Sequence, residues 1–268
     1  AWRGFQVNGQ WYIELYLRQS QTSSYPTFTM PIDLECTVGG SNVTKVIWNN
    51  LRTQHFVIPV NGNPTSVSVD PAPWILAGSN SAVTFVPGPP KVVQTVPAPG
   101  TTAQPGGVSQ IDIYFTKDVN TLPGYFTLTG AQSGIVSCSL AYSPSLFRAT
   151  LTPTSPLGSD EYTLVVSQSL TDVFSGIGLD GEITDPLSPA SLPSGNGAAG
   201  GSMAVKFTIA PPSCFGDADG NGVVDFVDIT AVLVHWGESG PLGDADGSGL
   251  VDFEDISQVL TNWGLVCN

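Results

Sequence analysis

Apolar and polar positions alternate with period two through most of this chain. In WYIELYLRQ, Trp11, Ile13, Leu15 and Leu17 alternate with Tyr12, Glu14, Tyr16 and Arg18, as in a half-buried strand whose side chains point to opposite faces. FTMPIDLECTV, KVIWNNL, HFVIPV and TSVSVD follow, with turn residues such as Asn61-Gly62 between them. PGPPKVVQTVPAPG, at 87–100, is proline-rich and marks a boundary. Beyond it come VSQIDIYFT, YFTLTG, GIVSCSLAY, FRATLTPT, EYTLVVSQ and MAVKFTIA, spaced as in an antiparallel sandwich. SPASLPSGNGAAGGS, at 188–202, interrupts this series before the last strand. Its low complexity predicts a surface loop.

The period changes after Pro-Pro-Ser at 211–213. GDADGNGVVDFVDITAVLVHWG, from Gly216, recurs as GDADGSGLVDFEDISQVLTNWG, from Gly243, a repeat of 27 residues. Ile229, Val232, Leu233 and Trp236 fall at i, i+3, i+4 and i+7, and Ile256, Val259, Leu260 and Trp263 repeat them. That spacing predicts two short helices with an apolar stripe, each stopped by a glycine, Gly237 or Gly264. The expected fold is mainly β. Two antiparallel β-sandwich domains occupy 1–88 and 89–211, followed by a small α-helical module over 212–268.

Charge sharpens the third region. The chain carries 22 acids against 8 bases, yet residues 214–268 hold 10 of the acids and no Lys or Arg. A compact segment of that kind repels itself unless cations fill it. The basic footprint of a nucleic-acid partner is missing, and no apolar run reaches the roughly 18–20 residues of a membrane span. The start at Ala1, without Met or a signal sequence, reads as a mature or excised piece of a longer protein.

The acids of the repeat are ordered. An EF-hand-type loop takes oxygen ligands at positions 1, 3 and 5, a backbone carbonyl at 7, a water-linked ligand at 9 and an acid at 12, with glycine at 6 where the chain turns sharply. The first loop places Asp217, Asp219, Asn221, Gly222, Val223, Asp225 and Asp228 there, and the second Asp244, Asp246, Ser248, Gly249, Leu250, Asp252 and Asp255. Position 8 is apolar in both, Val224 and Val251, and suits packing of the loops together. Two calcium ions are expected, with binding coupled to folding, because a module of about 55 residues is marginal alone. Cys214 and Cys267 flank the module and suggest a disulfide clasp. The pairing of Cys36 and Cys138 is left open against two buried thiols. Disulfides imply a compartment outside the cytoplasm.

This duplicated loop-then-helix unit resembles a dockerin, over about 55 residues. The resemblance implies calcium binding and a cohesin-like protein partner. In that family the residues before the position-12 acid help read the partner; here they are Phe226-Val227 and Phe253-Glu254, and the basic residues usual at that contact are missing. An apolar pair equally suits an intramolecular or self-assembly contact. VVQTVPAPG, IDIYFTKDV, YFTLTG, ATLTPTSPLGSDEYTLVV, LTDVFSGIGLDGE and VKFTIA resemble the Ig-like domains of bacterial surface and secreted proteins, which implies a spacer or adhesion role. WYIELYLRQSQ, TFTMPIDLECTVGG and HFVIPVNGNPTSVSVDPAPWIL resemble the β-sandwich that follows the catalytic domain in thermolysin-like zinc aminopeptidases.

Catalytic chemistry is not expected. HExxH and GxSxG are missing, and the two histidines, His55 and His235, stand 180 positions apart. His235 reads as a surface or helix-capping residue, and His55 as a solvated or cross-strand residue. GNGAAG, at 195–200, matches GxGxxG but lacks the strand before and helix after that a dinucleotide site needs. Asp172, Asp180, Glu182 and Asp185 obey no ligand spacing and read as a solvated loop rather than a further calcium site. Trp2, Trp11, Tyr12, Tyr16, Trp48 and Trp74 crowd the first domain; most suit a core, and a glycan platform is the alternative. The expected function is a non-catalytic bacterial protein, extracellular or on the cell surface, with calcium-dependent attachment or assembly. A subunit of an extracellular fibre or surface layer, or a carbohydrate-binding appendage, are the rivals.

Overall fold

The computed structural model describes residues 1–22, 24–75, 81–103, 107–210, 214–239 and 242–267. The boundary read at Pro-Pro-Ser 211–213 lies outside the described residues. Two compact units divide the chain, Ala1–Ile209 and Ala210–Asn268.

The first unit begins with six strands: β1 (Trp2–Val7), β2 (Gln10–Arg18), β3 (Met30–Val38), β4 (Ser41–Asn49), β5 (Thr53–Val60) and β6 (Pro64–Val69). They form two three-stranded sheets, ordered β1-β2-β5 and β4-β3-β6. Ile13 and Leu15 from one sheet meet Ile32, Leu34, Cys36 and Ile47 from the other in a common core. The predicted alternation of β2 holds for that face. The opposite face, however, is also covered: Tyr12 and Glu14 are buried. Tyr12 packs with Val7, Val93 and Tyr114, so β2 lies between its own sandwich and the next.

Eleven further strands build the Ig-like part: β7 (Val92–Val96), β8 (Thr102–Ala103), β9 (Ile111–Phe115), β10 (Val119–Asn120), β11 (Phe126–Gly130), β12 (Gly134–Val136), β13 (Cys138–Ser143), β14 (Arg148–Pro153), β15 (Asp160–Val166), β16 (Thr171–Asp172) and β17 (Met203–Ile209). The sheets are β12-β11-β15-β17-β8 and β13-β14-β9-β7, with β10 and β16 paired alone. GIVSCSLAY, read as one strand, is two. β12 belongs to the first sheet and β13 to the second, so the chain changes sheets at Ser137. This is how a sandwich turns a corner. Ile111, Ile113, Phe115, Leu128, Leu164, Val205 and Phe207 fill the space between the sheets.

Residues 188–202 are not merely a surface loop. Ser194 is buried, and its hydroxyl donates to the Asp180 carbonyl at 2.7 Å while accepting from Val92 N. Asn196 and Gly197 reach Gln54 and His55 of the first sandwich.

The second unit holds α1 (Phe226–Val234) and α2 (Phe253–Thr261). Each is capped by an aspartate, Asp225 or Asp252, in a reciprocal capping box with Asp228 or Asp255.

Candidate metal centre

Each loop orients its carboxylates with backbone N–H groups. In the first, Asn221 N donates to Asp217 Oδ1 at 3.1 Å and Gly222 N to Asp217 Oδ2 at 2.9 Å. Asn221 N also reaches Asp219 Oδ1 at 2.9 Å. Asp228 is wholly buried; Asp219 N donates to its Oδ1 at 3.1 Å and Asp225 N to its Oδ2 at 2.7 Å. The second loop repeats this at Asp244, from Gly249 N at 2.9 Å, and at Asp255, from Asp246 N at 3.0 Å and Asp252 N at 2.7 Å. Ser248 N on Asp246 holds that carboxyl below its ordinary range. Gly222 and Gly249, at position 6, have φ of 87° and 88°, where an L side chain is strained.

Ligand oxygens of Asp217, Asp219 and Asp228 lie within 4.8 Å of one another, as do those of Asp244, Asp246 and Asp255. Three carboxylates so close repel strongly without a cation among them. Asp244 Oδ1 supplies the fit test. It is buried and has no hydrogen-bond partner, an arrangement that is costly unless something positive meets it. Hard carboxylate oxygens on a glycine-turned loop suit calcium, so the residues fit the ion. Asp217, Asp219 and Asp228 would hold one ion, and Asp244, Asp246 and Asp255 the other.

Other residues expected in the loops are engaged by hydrogen bonds within the module. Asn221 donates from Nδ2 to Asp219 Oδ2 and accepts Val223 N at Oδ1. Ser248 Oγ donates to the Leu250 carbonyl at 3.1 Å. Asp225 and Asp252 accept from Val227 N and Glu254 N and cap the helices.

The loops share a small core. Ala218, Val224 and Val232 meet their counterparts Ala245, Val251 and Val259. The repeats also exchange backbone bonds: Gly216 N donates to the Ala245 carbonyl at 2.8 Å, and Gly243 N to the Ala218 carbonyl at 3.0 Å. The Cys214–Cys267 disulfide closes the module, with Cα atoms 5.8 Å apart, while Cys36 and Cys138 are free thiols. The predicted helix stripe is only half used. Ile229, Val232, Ile256 and Val259 face the core, but Leu233, Trp236, Leu260 and Trp263 are exposed. The core is too small to receive them. Phe226, Val227, Val234 and Phe253 add to this exposed apolar surface.

Other residues singled out from the sequence disperse. Asp172 caps the turn at Phe174 and Ser175, Asp180 pairs with Lys91, and Asp185 accepts from Leu187 N; with Glu182 they form no calcium loop. His55 lies against Tyr16 with the rings tilted and their centroids 5.0 Å apart, and burial holds its pKa below the ordinary value. His235 is the C-cap of α1 and meets Glu238 at 2.8 Å. Trp2 and Trp11 pack on the core and Tyr12 is buried, whereas Trp48 and Trp74 are 58% and 79% exposed.

No curated protein matches this chain. Among solved structures, the methionine-rich copper resistance protein PcoC from Escherichia coli is similar at 13% identity, over 45% of this chain and 97% of that one, with a TM-score of 0.29. That likeness is too slight to bear on function. Residues 86–184 match the family described as bacterial Ig-like domain, the stretch that holds the strands from Val92 to Asp172.

Proposed function

We propose that this is a non-catalytic bacterial protein of the cell surface or exterior, in which a dockerin-like module provides calcium-dependent attachment or assembly. The convergence of three carboxylates in each of two repeated loops carries this reading. Calcium orders the loops, and the loops carry the helices. Phe226, Leu233, Trp236, Phe253, Leu260 and Trp263 then stand exposed on a module with no Lys or Arg. So many large apolar side chains left in solvent on a small module mark an interaction site. The partner is a protein, cohesin-like or a second copy of the chain in a fibre or surface layer. The Ig-like part and the first sandwich serve as a spacer, and the first sandwich is related to the one that follows the catalytic domain of thermolysin-like aminopeptidases.

The test is the oligomeric state by light scattering, with calcium and with excess EDTA, alone and with a cohesin domain. Assembly or cohesin capture that calcium induces and EDTA reverses supports the proposal. A monomer that ignores both calcium and cohesin sinks it.

The exposed Trp48 and Trp74 favour a second reading, a glycan-binding face on the first sandwich. Retention on insoluble polysaccharide that Trp48→Ala and Trp74→Ala abolish would support it.

A further inference from the structure

A second cluster of charged groups lies inside the Ig-like part, far in sequence from the calcium loops. Lys91 stands immediately before β7 and is 2% exposed, and Asp180 is completely buried. Lys91 Nζ donates to Asp180 Oδ2, and to the Ser194 carbonyl at 3.0 Å. Asn196 N donates to Asp180 Oδ1 at 2.8 Å and Gly197 N to Oδ2 at 2.9 Å. The Glu182 carboxyl is a hydrogen-bonding neighbour of Asp180. Its Oε1 accepts Asn196 Nδ2 at 3.1 Å, while its Oε2 is buried with no hydrogen-bond partner. Gly195, at φ 93°, roofs the site; a Cβ there would overlap the Asp180 carboxyl and the Lys91 amine.

An ion pair this dry is costly to keep charged. Burial raises Asp180 to about 6 and lowers Lys91. Both shifts favour the neutral forms, and one proton passed from nitrogen to oxygen leaves a free amine against a carboxylic acid. Those are the two reactants of amide formation, already in contact.

We propose that Lys91 and Asp180 condense into an intramolecular isopeptide bond, with Glu182 as the catalytic residue that moves the proton. The lone pair of Nζ attacks Asp180 Cγ. The Asn196 N–H holds the negative charge that develops on Oδ1, as an oxyanion hole does. Glu182 takes a proton from Nζ and delivers it to Oδ2, which leaves as water when the Cγ–O bond breaks. The products are one amide and one water. No oxidant or co-reactant enters, and Glu182 ends in the state in which it began. The bond ties the entry of β7 to residue 180 across 89 positions and locks the Ig-like part into a covalent ring. Sliding of the edge strand β7 out of its sheet is thereby blocked.

Mass spectrometry of the full chain, folded with calcium and then reduced and denatured, tests this. The expected mass is below that of the sequence by one water, about 18 Da, and proteolysis is expected to yield a branched peptide joining Lys91 to Asp180. Full sequence mass in the folded wild-type chain overturns the proposal. So does a loss of water without the branched peptide, since a succinimide at Asp180-Gly181 sheds the same mass. Glu182→Gln keeps the side-chain volume. Folded by circular dichroism, this variant is expected to retain the full mass, and retention of the branched peptide in it overturns the role of Glu182. The wild-type mass decides the bond itself even if the variant does not fold.

Discussion

Gln54 in β5 donates from Nε2 to the carbonyl of Asn196 at 2.7 Å, across 142 residues of sequence. The next residue, His55, donates its N–H to Gly197 O at 3.2 Å. Gln54 is itself buried, and its Oε1 accepts from Asn49 Nδ2 at 2.7 Å and Asn50 N at 3.0 Å. One amide thus satisfies polar groups of the first sandwich and of the Gly-rich loop of the second. Gln54→Ala leaves them unpaired in a buried site. The expected loss is about 2 kcal/mol in urea unfolding of the first unit, and a change below about 0.5 kcal/mol would contradict this account.

Calcium removal is expected to act on one unit only. In excess EDTA, α1 and α2 melt and helical circular dichroism disappears, while the strand signal of residues 1–209 persists. Millimolar calcium against a micromolar Kd gives each loop about 4 kcal/mol, more than a core as small as this one supplies. Identical melting curves with and without EDTA would refute the coupling.

The two loops are expected to bind independently enough to be counted. Calorimetry on the wild-type chain should report two ions, and Asp255→Ala or Asp228→Ala should each report one. Each variant also loses a capping box, worth about 1 kcal/mol of helix stability. A variant that still binds two ions removes the acid from the ligand set.

The Cys214–Cys267 bridge closes a loop of 53 positions. Reduction, or replacement of both cysteines by serine, is expected to lower the stability of the calcium-loaded module by about 4 kcal/mol in the chain-entropy account. The affinity for calcium falls with it, because folding and binding are one equilibrium. Equal unfolding midpoints under oxidising and reducing conditions would show the clasp to be inert.

Asp160 sets an acid limit for the Ig-like part. Ser133 N, Gln132 N and Glu161 N, together with the Ser133 hydroxyl, donate to its carboxyl and hold it below the ordinary carboxylate value. Because the folded pKa lies under the unfolded one, its stabilisation is complete above the unfolded value and is lost as pH falls through the folded one. Asp160→Asn is therefore expected to flatten the loss of stability on acidification below about pH 4. A wild-type slope retained in the variant would assign the acid sensitivity elsewhere.

Local chemistry made the two acidic loops legible. Asp217, Asp219 and Asp228, like Asp244, Asp246 and Asp255, lie within twelve residues of one another, so their spacing alone brings their oxygens together once glycine turns the chain. The same holds for the caps Asp225 and Asp252, and for strands β2, β3, β5 and β15, whose period-two pattern is a property of a few consecutive residues. The Ig-like likeness spread over residues 86–184 was readable in the same way, as a series of strands and turns.

Long-range burial was not legible. Glu14 reads as the polar face of an alternating strand, yet it is buried, because Gly88 of the linker and Arg3 of β1 close over it, Gly88 N donating to its Oε1. Leu233 and Leu260 read as core, yet they stay outside, because two nine-residue helices enclose room only for Val232, Val259 and their neighbours. Lys91 follows four residues of a proline-rich linker, and nothing near it announces a partner. Asp180 and Glu182 read as two acids in a solvated loop. Their meeting depends on two sheets closing over positions far apart in the chain, and burial by distant residues leaves no mark on the residues buried. The repeat by itself therefore determined which carboxylates gather in the C-terminal module. Only the tertiary structure decided which apolar side chains remain exposed there, and which lysine and carboxylates are sealed together in the Ig-like part.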